Sequence, residues 1–512
     1  MIILAAINAK FIHSSLAIHS LRACLGEEAK HVHIREFTVN QPESLIISEL
    51  FKLKPEILAF SCYIWNIGMV LSIAGAIKQI MPGVRIIAGG PEVSYISEGE
   101  DLLAHGIDEI VSGEGESAFR QLVSGYLSST GQKTRPVEFS DIPFSELTFP
   151  YLDGFDGFAN RIIYYESSRG CPNSCGYCLA GLGAGVQFLP PERVRAELSE
   201  FMSAKVPQVK FVDRTFNCDK RHAMDIWQHL IASDNGVTNF HFEIAGDLLD
   251  DEMVGLIGRA RPGLFQFEIG VQSTNPKTLA AIGRSTDTSR LLENVRKLKN
   301  IGNVHLHLDL IIGLPYEDMP SFTKSFNDVM AVRPDQLQVG FLKLLKGSAL
   351  RKDAKKYGIK FNKTAPYEIL ASDFMGYEVI DRLKKVEHMV DLFYNSGGFQ
   401  AYIRYMVTQY ESDYDFYDAL AGYWDSNGYH MVSHKKTALY TILYEFGGKG
   451  RLVSELLKYD MLTRENVRTF PIWIEEYYRY DHKKVSRDSA VHTFEYDIDT
   501  WERREVETRF GY

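Results

Sequence analysis

The chain has 512 residues, of which 45% are hydrophobic and 24% charged, as expected for a folded protein of several domains. Its net charge of −10 argues against a general nucleic-acid binder, and no stretch supplies the roughly 20 consecutive apolar residues of a membrane span. The apolar start has no basic leader or cleavage site, and six cysteines do not make a disulfide framework, so we expect a cytoplasmic protein.

The first 125 residues alternate short apolar runs with segments of helical periodicity. The apolar runs predict five buried strands, at Ile2–Ile7, His31–Phe37, Ile57–Ser61, Val84–Ala88 and Ile107–Val111. Strands that alternate with helices predict an α/β fold with a doubly wound, Rossmann-like parallel sheet. Ligands of such sheets bind beyond the carboxyl ends of the strands, where this chain places several glycines. A polar, proline-punctuated linker is predicted at 126–160.

Residues 161–355 also alternate strands with helices. The predicted strands are Arg161–Tyr165, Val209–Val212, Phe240–Ile244, Phe265–Val271, His305–Ile312 and Leu337–Leu342. Six βα units predict a partial (β/α)6 barrel of the TIM type, with its active site at the C-terminal ends of the strands. Residues 356–512 are mostly helical and rich in tyrosine, which predicts a helical C-terminal domain of unknown role. The alternating tail from Arg487 to Trp501 predicts a short hairpin.

Three cysteines, Cys171, Cys175 and Cys178, follow the first barrel strand with C-x3-C-x2-C spacing. Glycine and proline around them predict a loop, which can wrap three thiolates around one soft metal centre. Zinc usually takes four ligands from paired motifs, whereas the other three cysteines of this chain stand alone. Three ligands suit a four-iron cluster with one open iron. Zinc-binding or simply buried cysteines are the alternative.

This motif, with the aromatic Tyr177 before the third cysteine, resembles the signature of the radical S-adenosylmethionine (SAM) enzymes. The resemblance implies a [4Fe-4S] cluster on the three cysteines, which would be both its metal ligands and catalytic residues. The open iron would bind the amino and carboxylate groups of SAM. The reaction implied is reductive cleavage of SAM to a 5′-deoxyadenosyl radical, which requires a dry and rigid site.

Residues 1–125 resemble the cobalamin-binding domain that precedes many radical SAM cores. The matching pieces are the loops after the third, fourth and fifth strands, which would hold the corrin face and the nucleotide tail. They supply the candidate contacts Asn66, Gly89, Gly90, Pro91, Gly113, Glu114 and Gly115. The D-x-H-x-x-G pattern of many cobalamin domains is absent, so the resemblance implies cobalamin without a protein histidine ligand. His13 is the nearby alternative ligand, and a domain that binds nothing is the alternative for the whole sheet.

Resemblance also assigns SAM contacts at the ends of the barrel strands. Asp213 would accept from the ammonium group, Gln272 or Ser273 would bind the ribose, and Arg284 would meet the carboxylate. Glu243 would hydrogen-bond SAM or substrate. The alternatives are that Asp213 is a structural residue at the rim of the barrel and that Arg284 lies on the protein surface. A charged residue inside the fourth strand, Glu268, requires a partner, because burying it unpaired is costly.

The reaction most typical of this layout is methylation of an unactivated carbon. We expect a small-molecule substrate and a reducing partner such as ferredoxin or flavodoxin. The alternatives are cyclisation or rearrangement without methyl transfer, transfer RNA modification, and a cobalamin or iron–sulfur sensor without catalysis. The acidic charge disfavours transfer RNA, and the residues that match SAM contacts disfavour a sensor.

Overall fold

The computed structural model describes residues 1–95, 102–128, 142–183, 185–465, 470–474 and 490–510. The polar stretch 131–140 of the predicted linker lies outside these residues. The chain divides into two compact units. The first comprises Met1–Gly270, Leu279–His305 and Phe341–Asp373, and the second comprises Val271–Thr278, Leu306–Gly340 and Phe374–Tyr512. The domain boundaries proposed from the sequence, 1–125, 126–160, 161–355 and 356–512, stay predictions.

A five-stranded parallel sheet lies at the start of the first unit. Its strands are β1 Ile2–Asn8, β2 Val32–Thr38, β3 Ile57–Ser61, β4 Arg85–Gly89 and β5 Glu109–Val111, in the order β2-β1-β3-β4-β5. The helices are α1 Leu16–Ala23, α2 Glu43–Leu53, α3 Ile67–Ile80, α4 Pro91–Ser94 and α5 Gly115–Ser128. Every residue from Ile2 to Ile7 is at most 1% exposed, because strand β1 is paired on both edges and buried on both faces. The predicted Rossmann-like sheet is confirmed.

The second group of βα units follows. Its strands are β6 Ile163–Tyr165, β7 Ser168–Arg169, β8 Gln187–Phe188, β9 Gln208–Phe211, β10 Asn239–Ile244, β11 Phe265–Gln272, β12 His305–Ile312 and β13 Gln336–Phe341. The helices are α6 Pro191–Ser203, α7 Lys220–Ala232, α8 Asp251–Ile257, α9 Pro276–Ala281, α10 Thr288–Ile301 and α11 Met319–Met330. Six strands form one sheet in the order β13-β12-β11-β10-β9-β6, which confirms the predicted central fold.

The strands of this sheet that lie in the first unit have one aromatic and one polar face. The ring centroids of Phe211 and Phe242 are 4.4 Å apart on the aromatic face. On the polar face, Lys210 Nζ lies 2.9 Å and His241 Nε2 lies 3.1 Å from Glu268 Oε2. The partner that the sequence required for Glu268 is therefore present.

The remaining elements are mostly helical. They are α12 Ala349–Lys352, β14 Lys360–Phe361, β15 Ile369–Ala371, α13 Tyr377–Met389, α14 Gln400–Met406, α15 Asp413–Ser426, α16 Lys436–Phe446, α17 Arg451–Arg464, β16 Ala490–Tyr496 and β17 Arg503–Phe510. Strands β16 and β17 form an antiparallel hairpin, of which only β16 lies within the stretch Arg487–Trp501 that predicted one, because β17 begins at Arg503. Tyr402, Tyr417 and Tyr440 are fully buried, so these tyrosines pack in the core. Among the described residues, no helix combines the length and apolar character needed to cross a bilayer.

Candidate active site

The three cysteines lie on a loop between β7 and β8, whose antiparallel pairing closes its base. Two glycines allow this loop to fold back on itself. A Cβ on Gly170, which has a φ of 100°, would lie 2.1 Å from the carbonyl oxygen of Gly185. A Cβ on Gly181 would lie 2.1 Å from the carbonyl oxygen of Asn173. Because backbone occupies both positions, only glycine fits there, and the two residues fix the course of the loop.

The thiols themselves are only partly shielded. Cys175 is buried, whereas Cys171 and Cys178 are half-buried. The Sγ of Cys171 lies 3.5 Å from Thr215 Oγ1, and the N–H of Ala180 donates to Cys178 Sγ at 3.4 Å. Burial raises the pKa of the Cys178 thiol. A bound metal would reverse that effect, because it holds a coordinating thiol in its deprotonated form.

The guanidinium of Arg284 lies beside this loop. Its Nη2 donates to the carbonyl oxygen of Gly270 at 2.5 Å, and its Nη1 lies 3.9 Å from Cys175 Sγ. Its buried Nε has no hydrogen-bond partner among the described residues. A half-buried cation with a buried, unused donor beside a three-thiol loop fits an anionic group, such as a thiolate-bound cluster or a carboxylate. The contact between Arg284 and the carboxylate of SAM stays a prediction.

Asp213 has an internal structural role. It is fully buried, and its Oδ1 accepts from the hydroxyls of Ser167 and Ser168, both at 2.6 Å. Its Oδ2 accepts from the N–H of Ser167 at 3.0 Å. Burial raises the pKa of this carboxyl to about 6. Asp213 thus holds the segment that leads into the cysteine loop, and its contact with SAM stays a prediction.

The other predicted SAM contacts lie at or near strand ends. Glu243 is half-buried in β10, in register with Glu268, and Tyr177 is half-buried in the cysteine loop. Gln272 adopts a φ of 68°, and its buried Oε1 has no partner among the described residues. Such backbone strain with an unused acceptor is consistent with a ligand contact. Ser273 is fully buried, and its hydroxyl donates to Glu317 Oε1 at 2.7 Å. This hydrogen bond disfavours a contact between Ser273 and the ribose, which stays a prediction.

The loop after β3 presents an aromatic surface. The rings of Tyr63 and Trp65 are stacked, with centroids 4.5 Å apart and planes 4° apart, and Trp65 is 47% exposed. Asn66 is 1% exposed, accepts from the N–H of Tyr63 at 2.8 Å and donates to the carbonyl of Ile7 at 3.0 Å. Its polar atoms are therefore used in holding the loop. A flat, half-exposed aromatic pair at the carboxyl edge of the sheet suits the face of a large planar ligand.

The glycines of the next two loops serve different purposes. Gly90 has a φ of 106°, and a Cβ there would lie 2.6 Å from the carbonyl oxygen of Cys62, so this residue permits close backbone packing. Gly89 precedes it at the end of β4, and Pro91 begins α4. Gly113 has a φ of 78°, and a Cβ there would meet no atom of the described residues within 4 Å. The approach of a ligand is therefore least obstructed at Gly113.

Glu114 and Gly115 follow Gly113 at the start of α5. A Cβ on Gly115 would lie 3.1 Å from a methyl group of Leu21, so this glycine allows close packing of α5 on α1. The carboxylate of Glu114 accepts from Arg169 Nη1 at 3.0 Å. Direct contacts from these two residues to cobalamin stay predictions.

Comparison with protein families assigns three parts of the chain. The model of the B12 binding domain matches residues 2–123, and that of the radical SAM superfamily matches residues 165–329. The chain thus combines a segment that matches the B12 binding domain with one that matches the radical SAM superfamily. A third family, described as a protein of unknown function (DUF4080), matches residues 355–487.

The curated relatives of this chain include two methyltransferases. It is 28% identical over 319 residues to the 2-(S-pantetheinyl)-carbapenam-3-carboxylate methyltransferase of Streptantibioticus cattleyicolor, covering 54% of this chain and 45% of the relative. It is 27% identical over 346 residues to the cobalamin-dependent radical SAM methyltransferase TokK of Streptomyces tokunonensis, covering 60% of this chain and 50% of the relative. The chain thus spans about half the length of these relatives.

A solved structure shares the fold of this chain. The radical SAM methyltransferase TsrM from Kitasatospora setae superposes with a TM-score of 0.55 at 15% identity, covering 72% of this chain and 80% of TsrM. At this identity the likeness concerns the fold alone.

The matched families imply a [4Fe-4S] cluster, SAM and cobalamin as cofactors. The residues present fit the first two, because three thiols on one loop and the half-buried Arg284 suit an anionic, thiolate-bound cluster with a carboxylate beside it. The aromatic pair after β3 and the open approach at Gly113 fit the corrin. His13, the alternative cobalt ligand, has its Nδ1 2.7 Å from the hydroxyl oxygen of Tyr164.

Two residues were not identified as site candidates from the sequence. Arg169, in the sequence Ser-Ser-Arg-Gly-Cys, contacts three carboxylates. Trp65 carries most of the exposed aromatic surface after β3. The position of Arg169 just before the first cysteine was a usable signal, but its partners lie too far along the chain to be inferred.

Proposed function

We propose that this protein is a cobalamin-dependent radical SAM methyltransferase that methylates an unactivated carbon of a small molecule. The observation that carries the proposal is the position of Arg284, a half-buried cation whose Nη1 lies 3.9 Å from the Sγ of Cys175 in the three-thiol loop. The relatives named as methyltransferases support methyl transfer over cyclisation or rearrangement. Ferredoxin or flavodoxin is the proposed reductant.

The residues of this chain would bind and orient the reactants. Cys171, Cys175 and Cys178 would hold the cluster, and Arg284 would fix the carboxylate of SAM. Gln272 would offer its amide oxygen to a ribose hydroxyl. When bound, the cluster supplies one electron to the sulfonium of SAM, and cobalamin carries the methyl group. The substrate would be recognised in part by the C-terminal domain.

Product analysis tests the proposal. Anaerobically reconstituted protein is incubated with SAM, a strong reductant and hydroxocobalamin, and the nucleoside products are measured by chromatography. We expect 5′-deoxyadenosine from reductive cleavage together with S-adenosylhomocysteine from methyl transfer. A cyclase or rearrangement enzyme would give the first product without the second.

Two cysteine variants control this experiment. Cys175→Ala removes one cluster ligand and is expected to abolish 5′-deoxyadenosine, whereas Cys24→Ala, at a buried cysteine beside α1, is expected to retain it. Equal production by the two variants would show that the cysteine loop has no part in SAM cleavage.

A further inference from the structure

Arg169 lies two residues before the first cysteine of the motif and is surrounded by carboxylates. Its Nε and Nη2 donate to the two oxygens of Glu166 at 3.1 and 2.7 Å. Its Nη2 also donates to Glu116 Oε1 at 2.9 Å, and its Nη1 to Glu114 Oε2 at 3.0 Å. The guanidinium carbon lies 5.0 Å from the ring centre of Phe144. Only 18% of the side chain is exposed, so these groups hold the guanidinium in one orientation.

These carboxylates come from two separate parts of the first unit. Glu166 belongs to the segment that carries the cysteines. Glu114 and Glu116 lie 55 and 53 residues before Arg169 in the chain, on the loop and first turn that follow β5. That loop also contains Gly113, where the approach of a ligand is open. One side chain therefore joins the predicted cobalamin loop to the cysteine loop.

The charge balance makes this junction depend on an arginine. Three carboxylates face one guanidinium, and the Glu116 side chain is only 9% exposed. Without the cation, the like charges would repel one another and the two loops would separate. A lysine would keep the charge, but its single ammonium cannot reproduce the planar fork that contacts three carboxylates at once.

We propose that Arg169 is a positioning residue that holds the loop after β5 and the cysteine loop in a fixed relation, so that occupancy of the cobalamin site is transmitted to the cysteine loop. This inference rests on the proposed function, because it takes the loop after β5 as a cobalamin contact. Arg169 acts through Glu114 and Glu116 rather than by touching a cofactor.

Hydrogen exchange of the reconstituted full-length protein, with and without hydroxocobalamin, tests this inference. In the wild type we expect hydroxocobalamin to slow exchange of the peptides 111–118 and 166–182 about fivefold or more, within the usual range of coupling between sites. In Arg169→Lys, the cobalamin-dependent protection of 166–182 should be lost. By reciprocity, hydroxocobalamin should also bind this variant roughly tenfold more weakly.

Two further variants complete the design. Arg195→Lys alters an arginine that donates to both oxygens of Asp225, at 2.7 and 2.6 Å, away from the two loops, and should behave like the wild type. Glu114→Gln weakens a single contact at a side chain that is 46% exposed, so it should fold normally and lose part of the protection. The inference is overturned if hydroxocobalamin slows exchange of peptide 166–182 as much in Arg169→Lys as in Arg195→Lys. If Arg169→Lys folds poorly, Glu114→Gln takes its place in this comparison.

Failure of the proposed function has a different signature. Wild-type protein that takes up no hydroxocobalamin would disprove the cobalamin site. The contact of Arg169 with Glu114 and Glu116 is then tested by hydrogen exchange without cobalamin. Peptides 111–118 and 166–182 should both exchange faster in Arg169→Lys than in Arg195→Lys. Equal rates in the two variants would overturn the role of Arg169.

Discussion

Arg284 shows how one side chain prepares the site for an anion. Its Nη2 is anchored on the carbonyl of Gly270, which leaves the rest of the planar group next to Cys175. A carboxylate accepts two parallel hydrogen bonds from such a group, whereas lysine offers a single point charge.

Replacement of this arginine tests its role. We expect Arg284→Lys to weaken SAM binding about tenfold, or about 1.4 kcal/mol, in anaerobic calorimetry of the reconstituted protein. Arg290→Lys is the matched control, because Arg290 also donates to a backbone carbonyl, that of Leu249, at 3.1 Å. Equal SAM affinity in the two variants would contradict the carboxylate contact.

Glu317, in the second unit, is a fully buried carboxyl group. Its Oε1 accepts from the hydroxyls of Ser273 and Ser325 at 2.7 and 3.0 Å, and its Oε2 has no partner among the described residues. Burial raises the pKa of this group to about 7 from its usual 4.5. The folded protein thus keeps a proton that the unfolded chain releases, so the stability due to this group falls as the pH rises from about 4.5 to about 7.

An isosteric amide removes this dependence on pH. At pH 8, Glu317→Gln should increase the free energy of unfolding by up to about 3 kcal/mol and so raise the thermal unfolding temperature. At about pH 4, below the pKa of the unfolded chain, it should leave that temperature nearly unchanged. Glu27→Gln, at an exposed carboxyl, should have no effect at either pH. An equal change for Glu317→Gln at both pH values would show that its carboxyl does not titrate in this range.

At the scale of elements, the course of the cysteine loop depends on glycine. Gly181→Ala would place a methyl group 2.1 Å from the carbonyl oxygen of Asn173, which cannot move without refolding the loop. Gly183→Ala, two residues on, meets no atom within 4 Å. We expect the first variant to lose most of its iron after anaerobic reconstitution and the second to retain it, as measured by iron per chain. Equal iron content would mean that the loop tolerates a different course.

The strands could be predicted because short runs of apolar or alternating residues are a local signal of a buried strand. Strands β3 and β12 occupy the predicted ranges without change, since β3 is a short apolar run and β12 alternates polar residues with leucine before it ends in two isoleucines. The cysteine loop was predictable as well, because its spacing is local. Strand β5 is shorter than predicted, beginning at Glu109 rather than Ile107.

At the scale of the whole molecule, the hydrogen-bond partners of the polar site residues could not be inferred from the sequence. Asp213 and Asn66 use their polar atoms internally, and both depend on segments that meet only after folding. The contact between Arg169 and Glu114 joins positions 55 residues apart. A sequence pattern shows that a charged residue needs a partner but does not show which segment supplies it.

The proposed function requires a cluster with one iron open to SAM, held by the three cysteines of the loop between β7 and β8. Electron paramagnetic resonance of the reduced, reconstituted protein tests this most directly, with spectra recorded before and after SAM is added. We expect the signal of a reduced [4Fe-4S] cluster whose g values shift when SAM binds. Zinc in place of iron at Cys171, Cys175 and Cys178, or a cluster signal that SAM leaves unchanged, would contradict it.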